Sequence, residues 1–109
     1  MRFSLTAALV LALNSHAFAQ SSPPTASAST TLHQRTLAAT CANCHGTNGR
    51  SAEGASVPSL AGQSQTTLVA QLKAFKDGSR PGTIMPQLAR GLSETQINQL
   101  ASYFAALKR

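Results

Sequence analysis

The chain has 109 residues, five of them aromatic, and nine Lys and Arg against three Asp and Glu give a net charge of +6. That length holds one small domain. The basic residues are scattered and not run together, which excludes a nucleic-acid-binding tract. Two cysteines cannot by themselves supply the four ligands of a structural zinc site.

The N-terminus carries an export pattern. Met1-Arg2 is a short basic start, Leu5 to Leu13 an apolar run, and Ala17-Phe18-Ala19 a pair of small residues two apart. This is the form a signal peptidase cuts after, with an uncleaved amphipathic helix as the alternative. The run is too short to anchor the chain across a bilayer, so no membrane span is expected after cleavage. The expected domains are a signal peptide over 1–19, a disordered leader over 20–31 and a folded domain over 32–109. Removing the first 19 of 109 residues leaves 90 with a net charge of +5, since Arg2 is lost. The leader, Gln20 to Thr30, is small, uncharged and holds two prolines, so it can bury nothing.

A first helix is expected from about Leu32 to Cys44. Thr31 and Gln34 have capping-box spacing, and His33, Leu37, Cys41 and His45 recur every four residues on one face. Gly46 offers a stop. At the helix end stands Cys41-Ala42-Asn43-Cys44-His45. Two thiols two residues apart with a histidine next in line form the attachment signal of a c-type haem. Each thiol can add to one porphyrin vinyl group to form a thioether, and the gap of one helical turn brings both to the same porphyrin edge. His45 then supplies an axial nitrogen to the iron. A thioredoxin-like dithiol needs alternating strands and helices and gives the histidine no role. A zinc site could be completed on paper by His33 and His45, but the spacing Cys-x2-Cys-His is unlike a zinc pattern, and a plain disulfide leaves His45 unexplained. Past the signal only Phe75, Tyr103 and Phe104 are aromatic. A buried haem would supply the apolar bulk that so small a domain needs, and the apo-protein is expected to be poorly folded.

From Gly46 to Gln63 glycines and Pro58 punctuate a loop without periodicity, long enough to imply that it wraps something. A second helix is expected over Gln65 to Lys76, with Leu68, Val69, Leu72 and Phe75 on one stripe and Asp77-Gly78 as its end. Ser79 to Gly91 reads as a second loop. It holds Met85, the only methionine after the signal, flanked by Ile84 and Pro86. A solitary methionine in such a loop fits a sixth ligand to iron better than a gap-filling core residue. Bis-histidine ligation through His33 is the rival, and it is hampered because His33 shares a helix with the attachment site. The last helix starts at Ser93, where Gln96 completes a capping box, and buries Ile97, Leu100, Ala101, Phe104 and Leu107. No stretch alternates as a strand does. The expected class is all-α, with about three main helices and long loops around one haem.

The segments Cys41 to Gly46, Pro58-Ser59-Leu60-Ala61-Gly62, Thr83-Ile84-Met85-Pro86 and Leu100-Ala101-Ser102-Tyr103-Phe104 resemble the small bacterial class I c-type cytochromes. Within that family they are most similar to the haem subunits of flavocytochrome c sulfide dehydrogenases. The resemblance spans about Leu32 to Leu107. It implies that Pro58 offers its carbonyl to the outer nitrogen of the ligand histidine, that Leu60 packs on the haem, and that Leu37 and Tyr103 join a crossing of the first and last helices. His33 stands where many members have a small residue, which puts close approach of those helices in question there.

These readings point to one-electron transfer in the periplasm by one covalently bound haem c. The haem-binding residues are Cys41, Cys44, His45, Pro58, Leu60 and Met85, with His45 and Met85 on the iron. Glu53, Asp77 and Glu94 stand isolated and compose no catalytic set. A free carrier, a haem subunit paired with a flavoprotein, and a haem enzyme or sensor with a labile Met85 are the competing roles. The positive charge points to redox partners with acidic docking surfaces, with a solubilising surface as the plainer alternative.

Overall fold

The computed structural model describes residues 25–109, and every described element is a helix. The expected signal peptide and residues 20–24 of the expected leader lie outside the described residues.

The first helix, α1, runs Ala26–Ala39, capped by the Thr25 hydroxyl, which accepts from the Ala28 N–H at 3.4 Å. It therefore begins six residues before the expected start, and the last residues of the expected leader are helical. Thr31 does not cap. Its hydroxyl, like those of Thr30 and Thr36, donates to the carbonyl four residues earlier. The helix runs outward through Ala-Ser-Ala-Ser-Thr-Thr with no buried side chain until Ala38. The expected single helix to Cys44 is broken at Thr40, whose hydroxyl donates to the Leu37 carbonyl at 2.7 Å and so draws on a group of the last turn. A separate turn, α2 (Ala42–His45), carries the rest of the motif and stops at Gly46. A single 3-10 turn, Thr47–Gly49, follows.

Gly49 then organises the loop. Its carbonyl accepts from the Leu60 N–H at 2.7 Å, the Ala61 N–H at 3.1 Å and the Ser59 hydroxyl at 2.8 Å. Its φ is +70°, and a Cβ there would lie 2.7 Å from the Phe104 ring. Only glycine satisfies both demands.

The next helix, α3 (Gln65–Asp77), is capped by Ser64 and ends at left-handed Gly78, close to expectation. A short helix, α4 (Met85–Arg90), lies inside what the sequence presents as a loop. Pro86 marks a first helical turn, where the missing N–H costs nothing. The last helix, α5 (Glu94–Ala105), has the expected capping box: Ser93 Oγ accepts from the Gln96 N–H at 3.2 Å, and Gln96 Oε1 accepts from the Ser93 N–H at 2.8 Å.

Helix α3 packs on α4 and α5, and α1 crosses α5. The core is Ala38, Leu68, Leu100, Ala101 and Phe104, with Leu37 and Tyr103 packed against it. Ala38 and Ala101 let α1 and α5 approach closely. His33 is exposed and does not intrude, while Gln34 Nε2 donates across the crossing to the Gln99 carbonyl at 2.7 Å.

Candidate functional site

Helix α2, the loop after it, α3, α4 and α5 enclose a cavity of about 520 Å³, within the size range of cofactor sites. Its lining includes all six residues singled out in the sequence: Cys41, Cys44, His45, Pro58, Leu60 and Met85. The rest is mostly apolar. Leu68, Leu72 and Phe75 come from α3, Leu88 from α4, and Leu100, Ala101 and Phe104 from α5.

His45 is 7 % exposed, the buried polar residue among the described ones. Its Nδ1 lies 2.7 Å from the Pro58 carbonyl. A carbonyl can only accept, so Nδ1 carries the proton and Nε2 keeps its lone pair. Gly46 makes this placement possible. It turns the chain with φ +78°, and a Cβ there would fall 2.0 Å from the Arg50 carbonyl oxygen. The Ser51 hydroxyl also donates to the His45 carbonyl, at 3.2 Å.

Both cysteines are free thiols. Burial pushes the Cys41 thiol up, a hydrogen bond with Thr40 opposes this in part, and Cys44 nearby adds to the rise. His33 is exposed and lies outside the cavity lining. Among the described residues no three His, Cys, Asp or Glu side chains gather as a metal cluster, so a zinc site finds no further ligands around the cysteine pair.

The donor set fits a haem. It offers two thiols at one wall, an imidazole nitrogen free to ligate, a thioether sulfur and an apolar enclosure. Sequence reading missed two features of this site. Phe75 reads as core on its helical stripe, and Arg80 as one of many surface cations. Both line the cavity. Nothing local in the sequence distinguishes them, because their position depends on how the chain turns after α3.

The cytochrome c family profile matches residues 34–108. Over 108 residues, 96 % of each chain, the sequence is 34 % identical to the cytochrome subunit of sulfide dehydrogenase from Chlorobaculum tepidum. It is 41 % identical over 71 residues to a thiosulfate dehydrogenase electron acceptor from Thiomonas intermedia, covering 65 % of this chain and 33 % of that one. A solved cytochrome c4 structure from Acidithiobacillus ferrooxidans superposes with a TM-score of 0.58 at 36 % identity, over 62 % of this chain and 38 % of that one. The chain thus spans about a third of the length of the thiosulfate dehydrogenase acceptor and nearly all of the sulfide dehydrogenase subunit.

The chain belongs to the cytochrome c family and has the all-helical class I fold. Its cofactor is covalently bound haem c, and its activity is haem-based electron transfer. No described helix is long and apolar enough to cross a membrane.

Proposed function

We propose that the chain passes single electrons in the bacterial periplasm through one haem c held by Cys41 and Cys44, with His45 and Met85 as axial ligands. The observation that carries this reading is the convergence of both thiols, the imidazole and the only methionine of the mature chain on one apolar cavity. When bound, the haem supplies an iron that cycles between ferrous and ferric states.

The protein's residues do the remaining work. Cys41 and Cys44, in α2 and the turn before it, would hold the haem through two thioethers. The Pro58 carbonyl, at 2.7 Å from Nδ1, holds the His45 ring in one tautomer and makes its other nitrogen more basic. Leu60, which lines the same cavity, would pack on the porphyrin. Met85, in the first turn of α4, would offer the iron a neutral thioether sulfur, which favours the ferrous state and raises the potential. The apolar walls exclude water, so little solvent reorganises when the charge changes. No side chain of the set acts as an acid, base or nucleophile.

A second reading has its own support. The match to the sulfide dehydrogenase cytochrome subunit extends over 96 % of both chains, which favours a haem-bearing subunit docked to a flavoprotein over a free carrier. Purification of the native protein decides between them: a stoichiometric flavoprotein that copurifies selects the subunit role, and a monomer selects the carrier.

Met85→Ala tests the ligand set. The wild-type ferric protein should show the weak near-infrared band of sulfur-to-iron charge transfer. The variant should lose that band, bind added ligands and have a lower potential. A high-spin wild-type ferric spectrum at neutral pH without the band would remove Met85 from the iron and raise an enzymatic or sensing role above electron transfer.

A further inference from the structure

A second cavity, open to solvent, lies between the loop after α2, the start of α3 and Arg109, and it shares no lining residue with the first. Among the described residues its charged members are Arg50 and Arg109, and no Asp or Glu joins them. Backbone contacts place both side chains. Arg50 Nη2 donates to the Lys108 carbonyl at 2.7 Å. The Arg109 stem lies over Gly62, where a Cβ would come 2.5 Å from Arg109 Cγ. The Gly62 N–H in turn donates to the Phe104 carbonyl at 2.9 Å, which ties this loop to the last helix. Neither arginine has a carboxylate partner among the described residues, where the salt bridge found is Lys73 with Glu94. Most hydroxyls of the lining are already committed. Ser51 donates to the His45 carbonyl at 3.2 Å, Ser59 to the Gly49 carbonyl at 2.8 Å and Ser64 to the Thr67 hydroxyl at 2.7 Å. The Gln63 amide spends one N–H on the Ser59 carbonyl at 2.6 Å. The second Gln63 N–H, the Thr67 hydroxyl and the remaining guanidinium N–H groups are left to donate into the cavity. It therefore presents donors and positive charge with no carboxylate to take them up.

We propose that this cavity binds a small doubly charged oxyanion of the sulfate or phosphate type between Arg50 and Arg109, and that the bound anion favours ferric iron. Guanidinium forks match the oxygens of such an anion with charge-assisted hydrogen bonds, and two of them balance its two charges. The link to the iron is the loop on which the cavity stands. Ser51 donates to the carbonyl of His45 itself, and Ser59 follows Pro58, whose carbonyl holds the His45 ring. Negative charge placed against that loop stabilises the more positive ferric state. By linkage the ferric protein then binds the anion more tightly than the ferrous protein, by the same factor. The coupling to iron rests on the haem reading given above, whereas the anion site does not.

The test is an optical redox titration of holocytochrome at neutral pH in rising sodium sulfate, with sodium chloride holding the ionic strength constant. Wild type, Arg50→Gln, Arg109→Gln and Arg90→Gln are compared. In the wild type the ferric-to-ferrous ratio at fixed poise should rise with sulfate and saturate on the order of twofold above its value in chloride. Arg50→Gln and Arg109→Gln should each flatten that rise. Arg90→Gln removes the same charge from the last turn of α4, outside the cavity, and should keep it. A wild-type ratio that does not respond, that rises without saturating, or that responds equally in all four proteins overturns the proposal and leaves the two arginines as general surface charge. If Arg50→Gln does not accumulate, having lost its bond to the Lys108 carbonyl, Arg109→Gln decides: a wild-type response there overturns the proposal. Calorimetric titration of the ferric protein with sulfate reads the site without the iron, so one bound sulfate with no redox response overturns the coupling alone. A wild-type preparation with no covalent haem, or with no redox wave, defeats the haem reading instead.

Discussion

His45 shows how much of the site is carried by single residues. One ring nitrogen is committed to the Pro58 carbonyl and the other faces the cavity chemistry with its lone pair intact. The two cysteines proposed for attachment are not equivalent: Cys41 is half-buried and Cys44 exposed. Holocytochrome made with the haem-maturation machinery should keep its haem through acid–acetone extraction. Cys41→Ala or Cys44→Ala should leave at most one thioether, detectable as a changed haemochrome spectrum, and His45→Ala should largely prevent holoprotein from accumulating. Haem extracted from the wild type by acid–acetone contradicts covalent attachment. The pentapeptide was legible because its chemistry is local in sequence. The Pro58 carbonyl could be named only through family resemblance, since a contact thirteen residues away leaves no trace in spacing. Arg80 was out of reach altogether, because its place in the cavity wall depends on the turn at Gly78 and on the Phe75 ring beneath it.

At the scale of elements, helices α3 and α5 were legible because each has a wide apolar stripe and a serine cap, and both begin and end near the expected residues. Helix α1 and α2 were misjudged as one because a threonine in mid-helix gives no warning that its hydroxyl will draw on a carbonyl of the last turn. The early start of α1 was not legible because its first six residues hold two serines and two threonines, weaker helix formers than alanine, and bury no side chain. Helix α4 was hidden by Pro86 and by its length of six residues, too short for a period to show. The loops between helices are as specific as the helices, and Gly49 and Gly54 measure this. Both have positive φ, but a Cβ at Gly49 meets Phe104 and Leu60, while one at Gly54 meets nothing within 4 Å. Gly49→Ala should therefore cost about 2–4 kcal/mol, from strain and overpacking together. Gly54→Ala should cost about 1–2 kcal/mol, from strain alone. Thermal melts of the two holoproteins give the comparison, and equal losses would contradict the role assigned to the Gly49–Phe104 approach.

The whole molecule is a small basic protein whose acids do little to balance its cations. Lys73 lies 2.7 Å from Glu94 and holds its carboxyl below the usual carboxylate range, and Ser79 does the same for Asp77. Both carboxylates are exposed, so these contacts are weak contributors to stability. Ile84 and Leu88, both in the cavity lining, are 59 % and 56 % exposed. If the positive charge steers docking, the bimolecular rate with an acidic redox partner should fall steeply with added salt, as stopped-flow measurement at increasing ionic strength will show. A flat dependence leaves the charge a solubilising role only. The central claim is a closed, six-coordinate haem that carries one electron and binds no substrate. A redox titration of the purified holoprotein, followed by exposing its ferrous form to carbon monoxide, tests that claim most directly. A closed six-coordinate carrier gives a single one-electron wave, low-spin iron in both oxidation states and no rapid carbon monoxide binding; a high-spin ferric form at neutral pH, or a ferrous form that binds carbon monoxide at once, would rule it out.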